Sequence, residues 1–447
     1  MPNTVLHRAD PICAVATPPG RGALAVVRLS GRGARTIARR ITDKELVPRR
    51  ATLASLRDRS GEAIDRGIAI YYQAPASFTG EELVEFYCHG NPIVCDLLLD
   101  ALCAQGSRLA EPGEFSLRAF LNNKLDLTQA EAIADLISST TEQCVRMAGR
   151  SLQGVFSQRV QQVLDRLVAV RTGVEAYLDF PDEDIDAQPG RALQEQLSQV
   201  HADITQLVEQ ARSGERLNAG ATLAIVGAPN VGKSSLVNVL AQSEIAIVTA
   251  TPGTTRDPVT ADIEIQGMPV RLVDTAGVRA TRDEVELLGI ERTRRALEQA
   301  DLVLWLDDVS QPEPAQAVLD NVDEAKVIRV HNKIDLVAGQ AGAGEREVWL
   351  SVKTGSGLEG LIELIGYRLL GREQGSTPFL ARGRHREALQ RTQAHIQTAL
   401  QGLRQAADLE LAGEDLRLAQ QALAEITGEF SSDDLLGSIF SEFCIGK

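Results

Sequence analysis

The chain has 447 residues, 44% hydrophobic and 24% charged. That is an ordinary globular composition, with length for roughly two to four domains of about 100–200 residues each. A formal charge of −15 and 4% aromatic residues argue against a broad nucleic-acid groove or a base-stacking platform, since those need clustered Lys and Arg or exposed rings. The six cysteines, at 13, 88, 95, 103, 144 and 444, form no CxxC pair, so reduced thiols are expected rather than disulfides or zinc. Met1 to Asp10 has no apolar signal core, and no apolar run reaches the ~18 residues of a membrane span, which predicts a cytoplasmic protein.

In chain order, Ile12 to Ala16 and Leu24 to Leu29 read as strands around Thr17-Pro18-Pro19-Gly20-Arg21-Gly22, a Pro- and Gly-rich turn. Gly67 to Tyr72 and Leu83 to Tyr87 read as further strands, and Ile93 to Ala104 as a short apolar helix. Residues 1–120 are therefore expected to form an α+β domain. Arg28 and Glu85 are charged residues in apolar strand-like runs, and from the residues alone they belong to a solvated strand face. The Cys88-His89 dipeptide reads as structural.

From 121 to 216 the period becomes helical. Thr128 and Glu131 have the spacing of a capping box. Leu152, Phe156, Val160, Val163, Leu167, Val170, Val174 and Leu178 mark one face of a long helix, which Pro181 ends in an acidic turn. That turn reads as a solvated loop rather than a metal site. A further helix is expected over about 192–215. Helical period returns over 376–447, where Leu389, Ile396, Leu400 and Leu403 share a face and Leu416 to Ile426 continue the pattern. The reading is one helical domain interrupted by an inserted α/β domain at 217–375, with two unrelated helical domains as the alternative.

The inserted stretch carries the chemistry. Leu223 to Val226 is a buried-strand run, followed by Gly227-Ala228-Pro229-Asn230-Val231-Gly232-Lys233-Ser234-Ser235 and an apolar-periodic helix. This is the strand–GxxxxGK[ST]–helix context of a phosphate-binding loop. Backbone N–H groups cradle the phosphates there, Lys233 reaches the terminal phosphates and Ser234 holds Mg²⁺. Thr254 and Thr255 lie in a Thr-rich loop suited to completing the Mg²⁺ shell. Asp274-Thr275-Ala276-Gly277 would follow a strand and face metal and γ-phosphate. Asn332-Lys333-Ile334-Asp335 places a carboxylate to accept guanine N1–H and N2–H, a pair adenine lacks, and Ser351-Val352-Lys353 supports the base from the other side. Together these predict a guanine-specific, Ras-like P-loop NTPase. Val278 stands where a water-orienting Gln is usual, so water and charge must be handled otherwise. Asn230 with the oxygen-rich run Thr249 to Thr255 suits a monovalent cation.

Motifs outside this domain carry a resemblance. Pro18 to Gly22, Glu111-Pro112-Gly113-Glu114-Phe115, Asn122-Asn123-Lys124-Leu125-Asp126-Leu127, Phe180-Pro181-Asp182-Glu183, Ile426-Thr427-Gly428-Glu429-Phe430 and Phe443-Cys444-Ile445-Gly446-Lys447 are similar to the MnmE (TrmE) family of tRNA-modification GTPases. The resemblance spans nearly the whole chain. It implies a folate-binding, dimerising N-terminal domain, a helical domain and an inserted G domain. It implies K⁺-stimulated GTP hydrolysis, with Asn230, Thr249, Thr251 and Thr254 around K⁺, Ser234 and Thr255 on Mg²⁺, and Glu286 orienting the water. Arg28, Glu85, Lys124 and Lys447 match folate-lining positions, and Cys444 matches the family's functional cysteine. A homodimer working with the flavoprotein MnmG is implied, modifying C5 of the tRNA wobble uridine with an aminomethyl or carboxymethylaminomethyl group. The folate is methylene- or (6S)-5-formyl-tetrahydrofolate. The alternatives weighed are a ribosome-assembly GTPase and a non-catalytic GTP switch.

Overall fold

The computed structural model describes residues 10–179, 188–242, 260–274, 297–311, 322–337, 339–371, 379–405, 409–429, 433–441, 443 and 445–446. They fall into two compact units, 1–134 with 152–182 and 408–447, and 135–151 with 183–407.

The first unit is built on β1 (Ile12–Val15), β2 (Gly22–Ser30), β3 (Thr52–Arg57), β4 (Ala63–Tyr72), β5 (Leu83–Gly90) and β6 (Arg108–Leu109), in the spatial order β3-β4-β5-β2-β1-β6. The β1–β6 pair is parallel and the others are antiparallel. Period-2 alternation on β5 sends Val84, Phe86 and Cys88 into a core with Val27, Leu29 and Ala69. That core packs on α1 (Ala34–Thr42) and α2 (Pro92–Ala104). Alternation puts Glu85, Tyr87 and His89 on the opposite face. Asn91 caps α2 by accepting from the Ile93 amide at 2.9 Å, with Pro92 at the first helical position. Next comes α3 (Glu114–Leu121), whose N-cap Gly113 has φ 67 and no room for a Cβ against the Phe440 carbonyl.

The cap of α4 (Leu127–Ser138) is two residues earlier than the sequence suggested. Asp126 Oδ1 accepts from the Gln129 amide at 2.9 Å, and Gln129 Oε1 accepts from the Asp126 amide at 3.0 Å. The reciprocal box is thus Asp126–Gln129, and the Thr128 hydroxyl donates to Asp126 instead of capping. Leu152 also leaves the long helix: it ends α5 (Glu142–Leu152), and Gly154 at φ 84 turns the chain before α6 (Val155–Asp179) begins. Apolar side chains of α6 from Phe156 to Val174 pack with α11 (Leu409–Ala424), and α12 (Asp433–Ser441) packs on α3.

In the second unit, α7 (Gln188–Ala219) lies along α10 (Gly383–Gln405), burying Leu197, Val200 and Ile204 on one side and Leu389, Ile396, Leu400 and Leu403 on the other. Between them in sequence come β7 (Ala221–Gly227), α8 (Lys233–Gln242), β8 (Thr260–Ile265), β9 (Met268–Asp274), β10 (Leu302–Asp308), β11 (Val327–Asn332), β12 (Gly342–Ala343), β13 (Glu347–Trp349) and α9 (Leu358–Leu370). The sheet order is β12-β13-β11-β10-β7-β9-β8. Its five inner strands are parallel, and β8 and β12 are antiparallel edges. Leu223 to Val226 on central β7 are all buried, as a parallel strand covered on both faces requires. No helix among the described residues is long and apolar enough to cross a membrane.

Candidate functional site

The phosphate loop leaves the C-terminal end of β7, where an open parallel sheet places its ligands. Gly227 sits so close to the Leu306 carbonyl that a Cβ would collide with it. Gly232, at φ 106, would bring a Cβ within 2.5 Å of Asn332 Nδ2. Asn230 holds φ 65, a left-handed conformation that asparagine tolerates better than most residues. Lys233 opens α8 and curls into the loop, donating from Nζ to the Gly227 carbonyl at 2.7 Å and the Ala228 carbonyl at 2.6 Å. Ser234 and Ser235 stand exposed in the first turn of α8, beside the orphan amides that bind anions. Asp274 ends β9, opposite Ile225 of β7.

The segments expected to recognise the base lie at the ends of β11 and β13. Asn332, 3% exposed, accepts at Oδ1 from the Lys333 amide (2.8 Å) and the Val352 amide (3.0 Å) and donates from Nδ2 to the Val231 carbonyl (2.7 Å). It therefore ties the phosphate loop to both the Lys333–Asp335 and the Ser351–Lys353 segments. Asp335 is exposed, with Oδ1 accepting from the Ser351 hydroxyl at 2.7 Å. The Ser351 side chain is fully buried and holds the Asp335 carboxylate through this bond. Lys353 is exposed. Lys333, at φ 68, pairs with Asp308 at 2.7 Å. Hydrogen bonds from Lys333 and Ser310 hold the Asp308 carboxyl below the usual range. Sequence reasoning missed Asp308; the signal was a carboxylate ending the apolar β10 run.

Thr249, Thr251, Thr254, Thr255, Thr275, Ala276, Gly277, Glu286, Cys444 and Lys447 lie outside the described residues, as does the acidic turn after Phe180.

In the first unit, Arg28 and Glu85 are direct partners across the β2–β5 ladder, and Arg28 Nε donates to Glu85 Oε1 at 2.9 Å. Glu85 is 8% exposed, so the pair is not on a solvated face as the residues alone suggested. The hydroxyls of Tyr87 (2.8 Å) and Tyr72 (3.4 Å) both donate to Glu85 Oε2. Burial and these bonds to a carboxylate push the Tyr87 phenol up to about 12 and the Tyr72 phenol upward. The Arg28 guanidinium lies 5.4 Å from the centre of the Phe78 ring. Lys124 is exposed, with its stem against Gly80 in the same loop as Phe78. It also borders a cavity of about 590 Å³, where Asn123 and Asp126 face Thr427, Gly428 and Glu429, so two of the resemblance motifs meet. Cys88 is a buried thiol, and exposed His89 pairs with Asp65 at 2.9 Å.

Residues 127–444 match the family model described as MnmE helical domain, and residues 11–124 match that described as GTP-binding protein TrmE N-terminus. The tRNA modification GTPase MnmE of Nitrosospira multiformis is 47% identical over 455 residues, covering 99% of this chain and 100% of its own. That of Nitrosomonas europaea is 48% identical over 449 residues, covering 98% and 99%. The chain belongs to the MnmE family. Among solved structures, the G domain of the T. maritima FeoB iron transporter covers 33% of this chain and 98% of its own at 27% identity; its TM-score of 0.26 is too low to bear on the fold. In the Glu111 to Phe115 motif, α12 leaves no room for a Cβ on Gly113, and buried Glu114 binds Arg108 and Arg118.

Proposed function

We propose that this MnmE-family chain is a Mg²⁺-dependent, K⁺-stimulated GTP hydrolase of tRNA modification. It works with the flavoprotein MnmG to add an aminomethyl or carboxymethylaminomethyl group at C5 of the wobble uridine. The observation that carries the GTP assignment is Asn332, which joins the phosphate loop to the Asp335 and Ser351 segments and so couples phosphate binding to base choice. The tRNA assignment rests on full-length identity to relatives named tRNA modification GTPase.

The loop residues fit a magnesium nucleotide: two glycines that admit no Cβ, a lysine aimed inward and a serine at a helix N-terminus. Ser234 and Thr255 would hold Mg²⁺, which neutralises phosphate charge. Asn230, Thr249, Thr251 and Thr254 would hold K⁺ in place of an arginine finger. Glu286 would orient water where Val278 cannot. Arg28, Glu85, Lys124 and Lys447 would bind the reduced folate that donates the one-carbon unit, with Cys444 beside it. The homodimer and a cytoplasmic location belong to the same reading. Packing of α7 on α10, which flank the nucleotide-binding sheet in sequence, supports an inserted G domain at 217–375.

The test is nucleoside analysis of tRNA from cells with and without the protein. Loss of the C5-modified wobble uridines is expected; an unchanged pattern would sink the proposal.

A further inference from the structure

Glu85 and Arg28 have a countable hydrogen-bonding capacity. An ionised carboxylate has about four lone-pair positions and a guanidinium five N–H donors. On Glu85, the Tyr72 and Tyr87 hydroxyls take both positions of Oε2, and Arg28 Nε takes one of the two on Oε1. Among the described residues, one acceptor position therefore stays open, on the oxygen next to Arg28. The Arg28 Nη1 and Nη2 groups make no hydrogen bond with the described residues, and Phe78 supports the guanidinium plane. One acceptor and adjacent donors left open by the described residues match a lactam edge, an N–H adjacent to a C=O.

The geometry points to Tyr72 and Tyr87 as positioning residues that hold the Glu85–Arg28 pair to read a lactam edge. Without the two hydroxyls, Oε2 would be free to turn to the ligand or to water, and the single orientation would be lost. This rests on the folate-site reading and deepens it. Lactam edges occur on a reduced pterin and on uracil, so the test separates the two.

The experiment is equilibrium dialysis of the full chain with three probes: 5-formyltetrahydrofolate, its 4-amino-4-deoxy analogue, which lacks the lactam, and uridine 5′-monophosphate. Wild type is expected to prefer the folate to the analogue, and Arg28→Lys to weaken folate binding. In the double variant Tyr72→Phe, Tyr87→Phe, folate should bind about tenfold more weakly, with affinity for the analogue retained. Equal weakening of both ligands would mean mere structural damage and would overturn the inference, as would an unchanged preference. If wild type binds uridine monophosphate but not folate, and Arg28→Lys abolishes this, the folate reading falls and the lactam reading stands. Binding of none of the probes overturns both.

Discussion

Asn332 at the end of β11 and Val231 in the phosphate loop are joined by a 2.7 Å hydrogen bond from the amide Nδ2 to the backbone carbonyl. The phosphate cradle is thereby shaped by a residue 101 positions away in sequence. Asn332→Ala would leave this carbonyl and the amides of Lys333 and Val352 without partners, at about 1–3 kcal/mol for each buried group. Nucleotide affinity should fall roughly tenfold to a hundredfold, measured by titrating a fluorescent GDP. Unchanged affinity would show that the tie is dispensable.

Ser351→Ala removes the donor that orients Asp335. GTP should bind several-fold more weakly, while ATP binding should not change. Competition between the two nucleotides reads this directly, and an unaltered GTP/ATP ratio would restrict Ser351 to packing.

His331 accounts for a predicted pH dependence. Its ring pairs with Asp307 at 2.9 Å and stacks on Trp349 at 4.9 Å. The hydrogen bond to Asp307, and then the charges of Asp307 and Glu347, raise it above the ordinary value of 6.5. A raised folded-state value means that the charged pair adds stability fully below 6.5, and that this contribution is lost as pH rises through the folded value. Urea denaturation across that window should show the decline, and Asp307→Asn should flatten it. A slope identical in the variant would contradict the assignment.

For the cation, hydrolysis should run faster in K⁺ than in Na⁺, and Asn230→Ala should erase the difference. Glu286→Ala should bind GTP but fail to hydrolyse it. Rates measured in the two salts across protein concentration test both the cation and dimerisation. Equal rates in wild type would remove K⁺ from the mechanism.

Asp126→Ala breaks the capping box of α4 and should lower stability by about 1 kcal/mol. Thr128→Ala, which loses only a hydroxyl bond to Asp126, should cost less. Thermal unfolding of the two variants ranks them; the reverse order would restore Thr128 as the cap.

Much of the nucleotide site was legible because its parts are contiguous. A buried parallel strand, a glycine loop and a helix start occupy one stretch from Leu223 to Leu236, and each leaves a local pattern. Local competition explains the misreadings nearby. Asp126 and Thr128 can both cap a helix, and only the path of the preceding loop decided for Asp126. Leu152 keeps the helical period across a break that Gly154 introduces. The short strand β3 and the helices α1 and α3 escaped notice because their apolar faces are defined by neighbours rather than by a long repeat.

By itself the sequence determined the family, through motifs dispersed from Pro18 to Lys447, and the chemistry of the phosphate loop, because backbone amides and a following helix need only local order. Tertiary structure alone decided what the isolated charges and amides do. Arg28 and Glu85 are 57 residues apart and looked solvated until the β2–β5 register set them side by side under two tyrosines. Ser351 acquired the Asp335 carboxylate as its partner, and Asn332 became the link to Val231. The reason is common to all three: a side chain's partners are fixed by sheet register and loop approach, and neither is written in the residues flanking it.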